Sequence, residues 1–488
     1  MKDKILHYNK IALYILIIVS TLLFIIPVVD NDVWFMINHG DYIIHHGFTN
    51  VEPFTVHEGL KFSFQKWLMC VLMYALNNAL GVKGIIGYIY VMCSLILVAF
   101  IINVKDSKTT SFNVVDAFMV AVPCATLFVR FGSARPQLFS YLAIVIVLML
   151  LEAYAKTGKT QYLAMLPFVS ILWMQMHSTQ WIFMFALFLA YVVKIPKGLI
   201  KCIEVREYSR VKVLIAAVLS FAAGLINPYG VESVTYIFKS MKDTRYMINI
   251  IECQRPQLRE LIFLIPLIIF LMAVIAYSKK IDFQHLMLLF GTLMMSFMAR
   301  RNVAYFIAVI GFILPYLYKG KKQSFNANST MKRAMSYITI LLCIAILVLD
   351  AGLFMERKAA DIYRNTYCKS IVDALDEQGE VEGKRFFTIF DYGSYIEYLG
   401  GIPYEDSRAE LFCDEINGKE DIFLEEQAFM QGVLTLTDLQ NKYHFDYALM
   451  RNEIMSDTLK AEFTVYEKMG LIKLIDSDKN CILYKLDF

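Results

Sequence analysis

The chain carries repeated apolar runs long enough to cross a lipid bilayer, and no other feature constrains its fold as strongly. About 20 residues at a helical rise of 1.5 Å span the hydrocarbon core, where each backbone N–H and C=O must be satisfied within the segment. The first run extends from Lys10 to Val29, and others follow as far as Asp350. Composition agrees: 58% of the 488 residues are hydrophobic, 19% are charged and the mean hydropathy is +0.51. Soluble domains carry about 25% charge. The first run lacks a small-residue cleavage site and reads as a retained anchor.

Charge divides the chain. Residues 356–488 hold 15 Lys and Arg against 27 Asp and Glu, a net of −12, whereas residues 1–355 hold 32 against 17, a net of +15. The expected organisation is a basic transmembrane domain, 1–355, followed by an acidic water-soluble domain, 356–488. No nucleic-acid partner is expected. The nine Cys show no paired metal spacing.

Basic residues favour the cytoplasmic side of a membrane. Spans near 11–28, 84–104, 113–129, 136–153, 161–176, 179–193, 211–226, 260–277, 282–299, 302–318 and 334–354 number eleven. They put the basic connections 194–212 and 319–333, Lys279–Lys280 and the N-terminal Lys2, Lys4 and Lys10 on one side. Counting 64–80 as a further span would turn those loops outward, so it reads as an interfacial helix with Trp67 and Tyr74 at headgroup depth. The N-terminus is then cytoplasmic, and three outer connections stand out: 29–83, 130–135 and 227–259. In the tail, Phe386–Phe390 reads as a buried strand, Tyr392–Leu399 as a short helix and Phe445–Met450 as another strand. Leu471–Ile475 and Cys481–Leu486 read as a hairpin about Ser477-Asp478-Lys479-Asn480, which together make a small α/β domain.

Several residues could carry chemistry. Asp30 and Asp32 follow the first span directly. A carboxylate there can act as a general base toward an acceptor hydroxyl or hold a divalent metal. A solvated helix end with Trp34 as anchor is the plainer reading. His39, His45, His46 and His57 crowd the same loop, but His45 and His46 point apart on any regular element, so hydrogen bonding competes with zinc binding. Arg130, Arg135, Arg300 and Arg301 lie at outer span ends, where the guanidinium fork suits phosphate or lipid headgroups. His177 lies between two spans, where it could face a polar cavity.

An ordered set of short motifs runs along nearly the whole chain. It begins Asp30-x-Asp32-x-Trp34-Phe35, Gly40, His46-Gly47, Pro53-Phe54-Thr55 and Lys66-Trp67-Leu68. It continues with Arg135-Pro136-Gln137-Leu138-Phe139-Ser140, Asn227-Pro228-Tyr229-Gly230 and Arg300-Arg301-Asn302. It closes with Asp391-Tyr392-Gly393-Ser394-Tyr395 and Asp406-Ser407-Arg408-Ala409-Glu410-Leu411. The set resembles bacterial membrane glycosyltransferases of the GT-C class.

The resemblance implies a polytopic α-helical membrane protein with a long first outer loop. It implies transfer of a sugar from a polyprenyl-phosphate carrier to a glycan, lipid or protein acceptor on the outer face of the cell membrane. It makes Asp30 and Asp32 the catalytic candidates, Asp30 slightly ahead, and Arg130, Arg135, Arg300 and Arg301 the donor-phosphate ligands. Trp34, Glu52, His57, His177 and Arg408 are candidate substrate or metal contacts, and a divalent metal, Mg or Mn, is an optional cofactor. One base and a phosphate leaving group imply inversion. The sequence departs from the family pattern at Asp41, Glu52, Lys66 and Ser407. A lipid-linked-saccharide flippase and a non-catalytic envelope-assembly subunit are the alternatives. A flippase places charges near mid-membrane, often in internal repeats, whereas here most charges lie at span ends.

Overall fold

The computed structural model describes residues 2–107, 113–196, 203–242, 250–262, 264–265, 268–269, 272, 281–324, 329–358, 361–363, 365–451 and 455–488; at 2–10, 259, 318–324, 329–336 and 339 it describes backbone alone. Lys279–Lys280 and parts of the basic connections 194–212 and 319–333 and of the expected span 260–277 lie outside the described residues.

The chain divides into two compact units. The first gathers Met1–Pro27, Gly87–Asn227 and Ile250–Ala360, and the second gathers Val28–Ile86, Pro228–Asn249 and Asp361–Phe488.

The first unit is helical. Among the described residues three helices are long and apolar enough to cross a membrane: Val82–Asp106, Val114–Phe131 and Gln137–Thr157. Ile11–Phe24, Phe183–Val192, Phe283–Met298 and Asn302–Leu317 are apolar and shorter. Val91, Leu95, Val98 and Ile102 line an exposed stripe of Val82–Asp106 while Ile89, Cys93, Ile96 and Phe100 are buried. That division is the one expected of a helix with one face in lipid. Small residues let helices approach: a Cβ at Gly311 would lie 2.7 Å from Pro123 and 2.8 Å from Phe100. Buried polar groups are matched. Asn103 donates to the Phe312 carbonyl at 2.9 Å and accepts from the Tyr316 hydroxyl at 2.9 Å. Two short parallel strands, β1 (Ile203–Glu204) and β2 (Ile281–Asp282), pair in this unit. Beside them Arg206 bridges Asp282 and the buried Glu152, with 2.7 Å to Glu152.

The second unit has a sheet with strands β3 (Arg385–Thr388), β4 (Ile402–Pro403), β5 (Tyr447–Arg451), β6 (Ile472–Ser477) and β7 (Cys481–Leu486), in the order β4-β3-β5-β7-β6. β3 runs parallel to β4 and β5, and β7 runs antiparallel to β5 and β6. Phe386, Phe387, Ala448, Leu449 and Met450 are all buried, which is why the two central strands read as continuous apolar runs. The β6–β7 turn closes on Asp478, whose carboxylate accepts from the Asn480 and Cys481 N–H groups at 2.7 and 2.9 Å.

The segment Val28–Ile86 belongs to this same unit. It forms the helix Asn31–His46, a hairpin bridged at Val51 and Lys61, and the helix Trp67–Leu80. With 14 residues, Trp67–Leu80 is about 21 Å long and falls short of the hydrocarbon core. It meets the first helix at Gly40, where a Cβ would stand 2.2 Å from the Cys70 carbonyl oxygen.

Candidate active site

Asp30, Asp32, Trp34, Glu52, His57 and Arg408 fall in the second unit, and Arg130, Arg135, His177, Arg300 and Arg301 in the first.

Asp30 stands immediately before the helix Asn31–His46 with extended backbone, and its carbonyl accepts the Val33 N–H at 2.9 Å. Asp32 lies in the first turn. Both carboxylates thus stand at the N-terminal, positive end of the helix dipole. Asp30 is buried, and Asn365 Nδ2 reaches its Oδ2 at 3.4 Å. Between the acids, the Asn31 amide donates to the Asp391 carbonyl and to Ser407 Oγ. One turn on, Trp34 Nε1 donates to Thr366 Oγ1 at 2.8 Å, and its ring packs against Tyr363, Tyr395 and Tyr398. Asn38 donates to Glu397 Oε1 at 2.8 Å. The acid pair is thus mounted on a helix gripped at 31, 34 and 38, one stripe of its surface.

Arg408 is the charge centre of this unit. Its guanidinium binds Asp406 through Nε at 2.9 Å, reaches Glu52 Oε1 at 3.0 Å and lies 3.8 Å from Glu397 Oε2. Phe54 and Phe62 cover it, with ring centroids 5.5 and 5.3 Å away. Glu52 is saturated by donors: Arg408, the Phe54 and Thr55 N–H groups and the Thr55 hydroxyl. Burial pushes the Glu397 carboxyl well above the ordinary range, with Arg408 opposing. Burial, then Arg408 and Lys66, holds His39 neutral. His57 hydrogen-bonds the Tyr404 carbonyl at 2.9 Å, and burial lowers its pKa to about 4.

In the first unit the arginines meet acids. Arg130 pairs with the buried Asp350 at 2.9 Å, and Thr126 donates to the same carboxylate. Arg135 binds Glu252 at 2.6 Å and Arg300 binds Glu260 at 3.0 Å. The Arg300 and Arg301 N–H groups donate to the Gln254 and Glu252 carbonyls. Arg135, Arg300 and Arg301 therefore converge on the segment 250–261. His177 is buried at a break in the helix Leu166–Trp181 (φ −160°, ψ 75°), with Nδ1 2.8 Å from Ser140 Oγ.

Sequence reading missed Asn31, Glu397, Ser394, Glu252 and Glu260. Glu397 is the single acid in the short helix Gly393–Tyr398, and an acid among aromatic residues was its only signal. No His, Cys, Asp or Glu side chains are grouped in threes to hold a metal ion among the described residues.

No protein-family model matches this sequence, and no curated protein matches it. Solved structures do. The Archaeoglobus fulgidus oligosaccharyltransferase tethered to an acceptor peptide containing the NVT sequon matches at a TM-score of 0.58 and 11% identity, over 94% of this chain and 72% of that one. The archaeal oligosaccharyltransferase AglB of the same organism, in complex with an inhibitory peptide and a dolichol-phosphate, matches at 0.59 and 11%, over 93% and 72%. The chain has the fold of these oligosaccharyltransferases across nearly its whole length.

Proposed function

We propose that this chain is a membrane glycosyltransferase that moves a sugar from a polyprenyl-phosphate carrier to an acceptor on the outer face of the membrane. One observation carries the reading: in a chain sharing its fold with oligosaccharyltransferases, Asp30 and Asp32 sit at the start of a helix anchored along one face. AglB's complex with dolichol-phosphate supports a lipid-phosphate donor here. Eleven spans, a cytoplasmic N-terminus and an extracytoplasmic 356–488 belong to the proposal, as does placement in a bacterial cell envelope.

The chemistry is a single displacement. The acceptor hydroxyl attacks the anomeric carbon, and the Asp30 or Asp32 carboxylate takes its proton. The bond to the carrier phosphate breaks, and the phosphate leaves with the electron pair and inverted sugar stereochemistry remains. The developing phosphate charge needs a cationic partner, the role the resemblance implies for Arg130, Arg135, Arg300 and Arg301. Among the described residues no three acids, thiols or imidazoles group to hold a metal, and no step is drawn through one.

The test is donor consumption by the full chain in lipid nanodiscs, with a panel of polyprenyl-phosphate-linked hexoses and pentoses and a mixture of hydroxyl-bearing glycan, lipid and peptide acceptors. One donor should be consumed, and Asp30→Asn or Asp32→Asn should lower its turnover by about 100-fold or more, within the range of a removed general base. Undiminished turnover in both variants would remove the proposed base. Intact donor with every sugar would overturn the transferase reading.

A further inference from the structure

We propose that Asn31 is a positioning residue: its amide, held by the Asp391 carbonyl and the Ser407 hydroxyl, fixes the direction of the flanking carboxylates Asp30 and Asp32. The inference rests on the transferase reading above and names the part of the second unit that sets its geometry.

Asn31 is 7% exposed and is the first residue of its helix. A primary amide has two N–H bonds 120° apart, and both are committed here, one to the Asp391 carbonyl and one to Ser407 Oγ at 2.9 Å. A side chain with both donors placed has one orientation, and its backbone carries Asp30 on one side and Asp32 on the other.

The acceptors are themselves held. Ser394 Oγ donates to Ser407 Oγ at 2.9 Å and accepts the Ser407 N–H at 3.1 Å. Ser394 is fully buried. It stands beside Gly393, whose missing Cβ would lie 1.7 Å from the Glu405 carbonyl oxygen. Only glycine lets the segment Glu405-Asp406-Ser407 after β4 lie against the start of the helix Gly393–Tyr398. The tail motifs at 391–395 and 406–408 therefore form one cradle, and the Asn31 amide is what they hold.

Helical geometry shows why this matters. Asn31, Trp34 and Asn38 share the gripped stripe, whereas Asp32 is rotated about 100° from Asn31 and half-buried. Loosening the first contact turns the helix start and swings both carboxylates. A displacement of about 1 Å in a catalytic group costs roughly 100-fold in rate.

The experiment uses the full chain in nanodiscs and the donor identified as above. Asn31→Ala and Ser407→Ala should lower kcat by about 10- to 100-fold with the donor KM within twofold, and Ser407→Thr, which keeps a hydroxyl, should restore most of it. Tyr447→Phe removes the hydroxyl that donates to Glu380 at 2.7 Å, elsewhere in the same unit. It should lower the melting temperature and leave kcat within twofold. Unchanged kcat in Asn31→Ala, or equal loss in Tyr447→Phe, would overturn the positioning role while inactive Asp30→Asn and Asp32→Asn left the transferase reading standing. Active Asp variants, or no donor consumed at all, would instead remove the base and the need to position it.

Discussion

Arg408 shows how one side chain can decide whether a region folds. Its guanidinium is buried with Asp406 and Glu52, and burial raises the pKa of Glu397 beside it. Removing one partner of a buried ion pair leaves uncompensated charge, at a cost of about 3–5 kcal/mol. Arg408→Met should therefore lower the melting temperature steeply in a thermal unfolding scan. Adding Glu52→Gln and Asp406→Asn, which removes the stranded charges, should recover part of that loss. His57 gives a second expectation. Its folded pKa is depressed to about 4 against an ordinary 6.5, so folding resists protonation. Stability tied to His57 is complete above about pH 6.5 and is lost as pH falls toward 4, to a limit on the order of 3 kcal/mol. His57→Gln should flatten that part of the stability–pH curve relative to the unaltered chain, as read by the difference in melting temperature between pH 7 and pH 4.5.

At the scale of elements, the tail was largely legible. The run Phe386–Phe390 bounded by charge overlaps β3, which ends at Thr388, and Asp478–Asn480 turn the chain between β6 and β7 because Asp478 caps the turn. β4 was not legible: two residues, Ile402–Pro403, carry no period, and their pairing with β3 is set by tertiary contact. The expected spans 161–176 and 179–193 leave a gap at 177–178, and the helix Leu166–Trp181 breaks there, at His177. The second interruption, near Ile182, falls inside the expected span 179–193, because hydropathy sees no dihedral angles. Gly40 was noted as a motif letter, and its reason is the Cys70 carbonyl 2.2 Å from where a Cβ would be. Gly40→Ala must part the helices Asn31–His46 and Trp67–Leu80, and a cost of about 1–3 kcal/mol should appear as a lower melting temperature.

At the scale of the molecule, the candidate residues were legible one at a time and their grouping was not. Asp30, Glu52 and Arg408 were each singled out, yet the Arg408–Glu52 hydrogen bond joins residues 356 positions apart, and no local pattern encodes such a pairing. The segment 28–86 shares its core with the tail: Trp34 is sealed by Thr366 and Tyr395, and the His57 ring by Tyr404 and Tyr443. A chain ending at residue 360 should leave 28–86 without its partners, so limited proteolysis should cut between residues 48 and 66 in the truncated protein and spare that stretch in the full one.

The wide spacing of these partners also imposes a timetable. Asn31 and Ser407 are 376 residues apart, so the first large loop emerges long before the residues that complete its core exist. At about 5–20 residues per second, some 400 residues of synthesis amount to roughly 20–80 s. Through that interval the newborn loop presents Trp34, Phe54 and Phe62 to chaperones and proteases, and only the last quarter of translation closes the clasp.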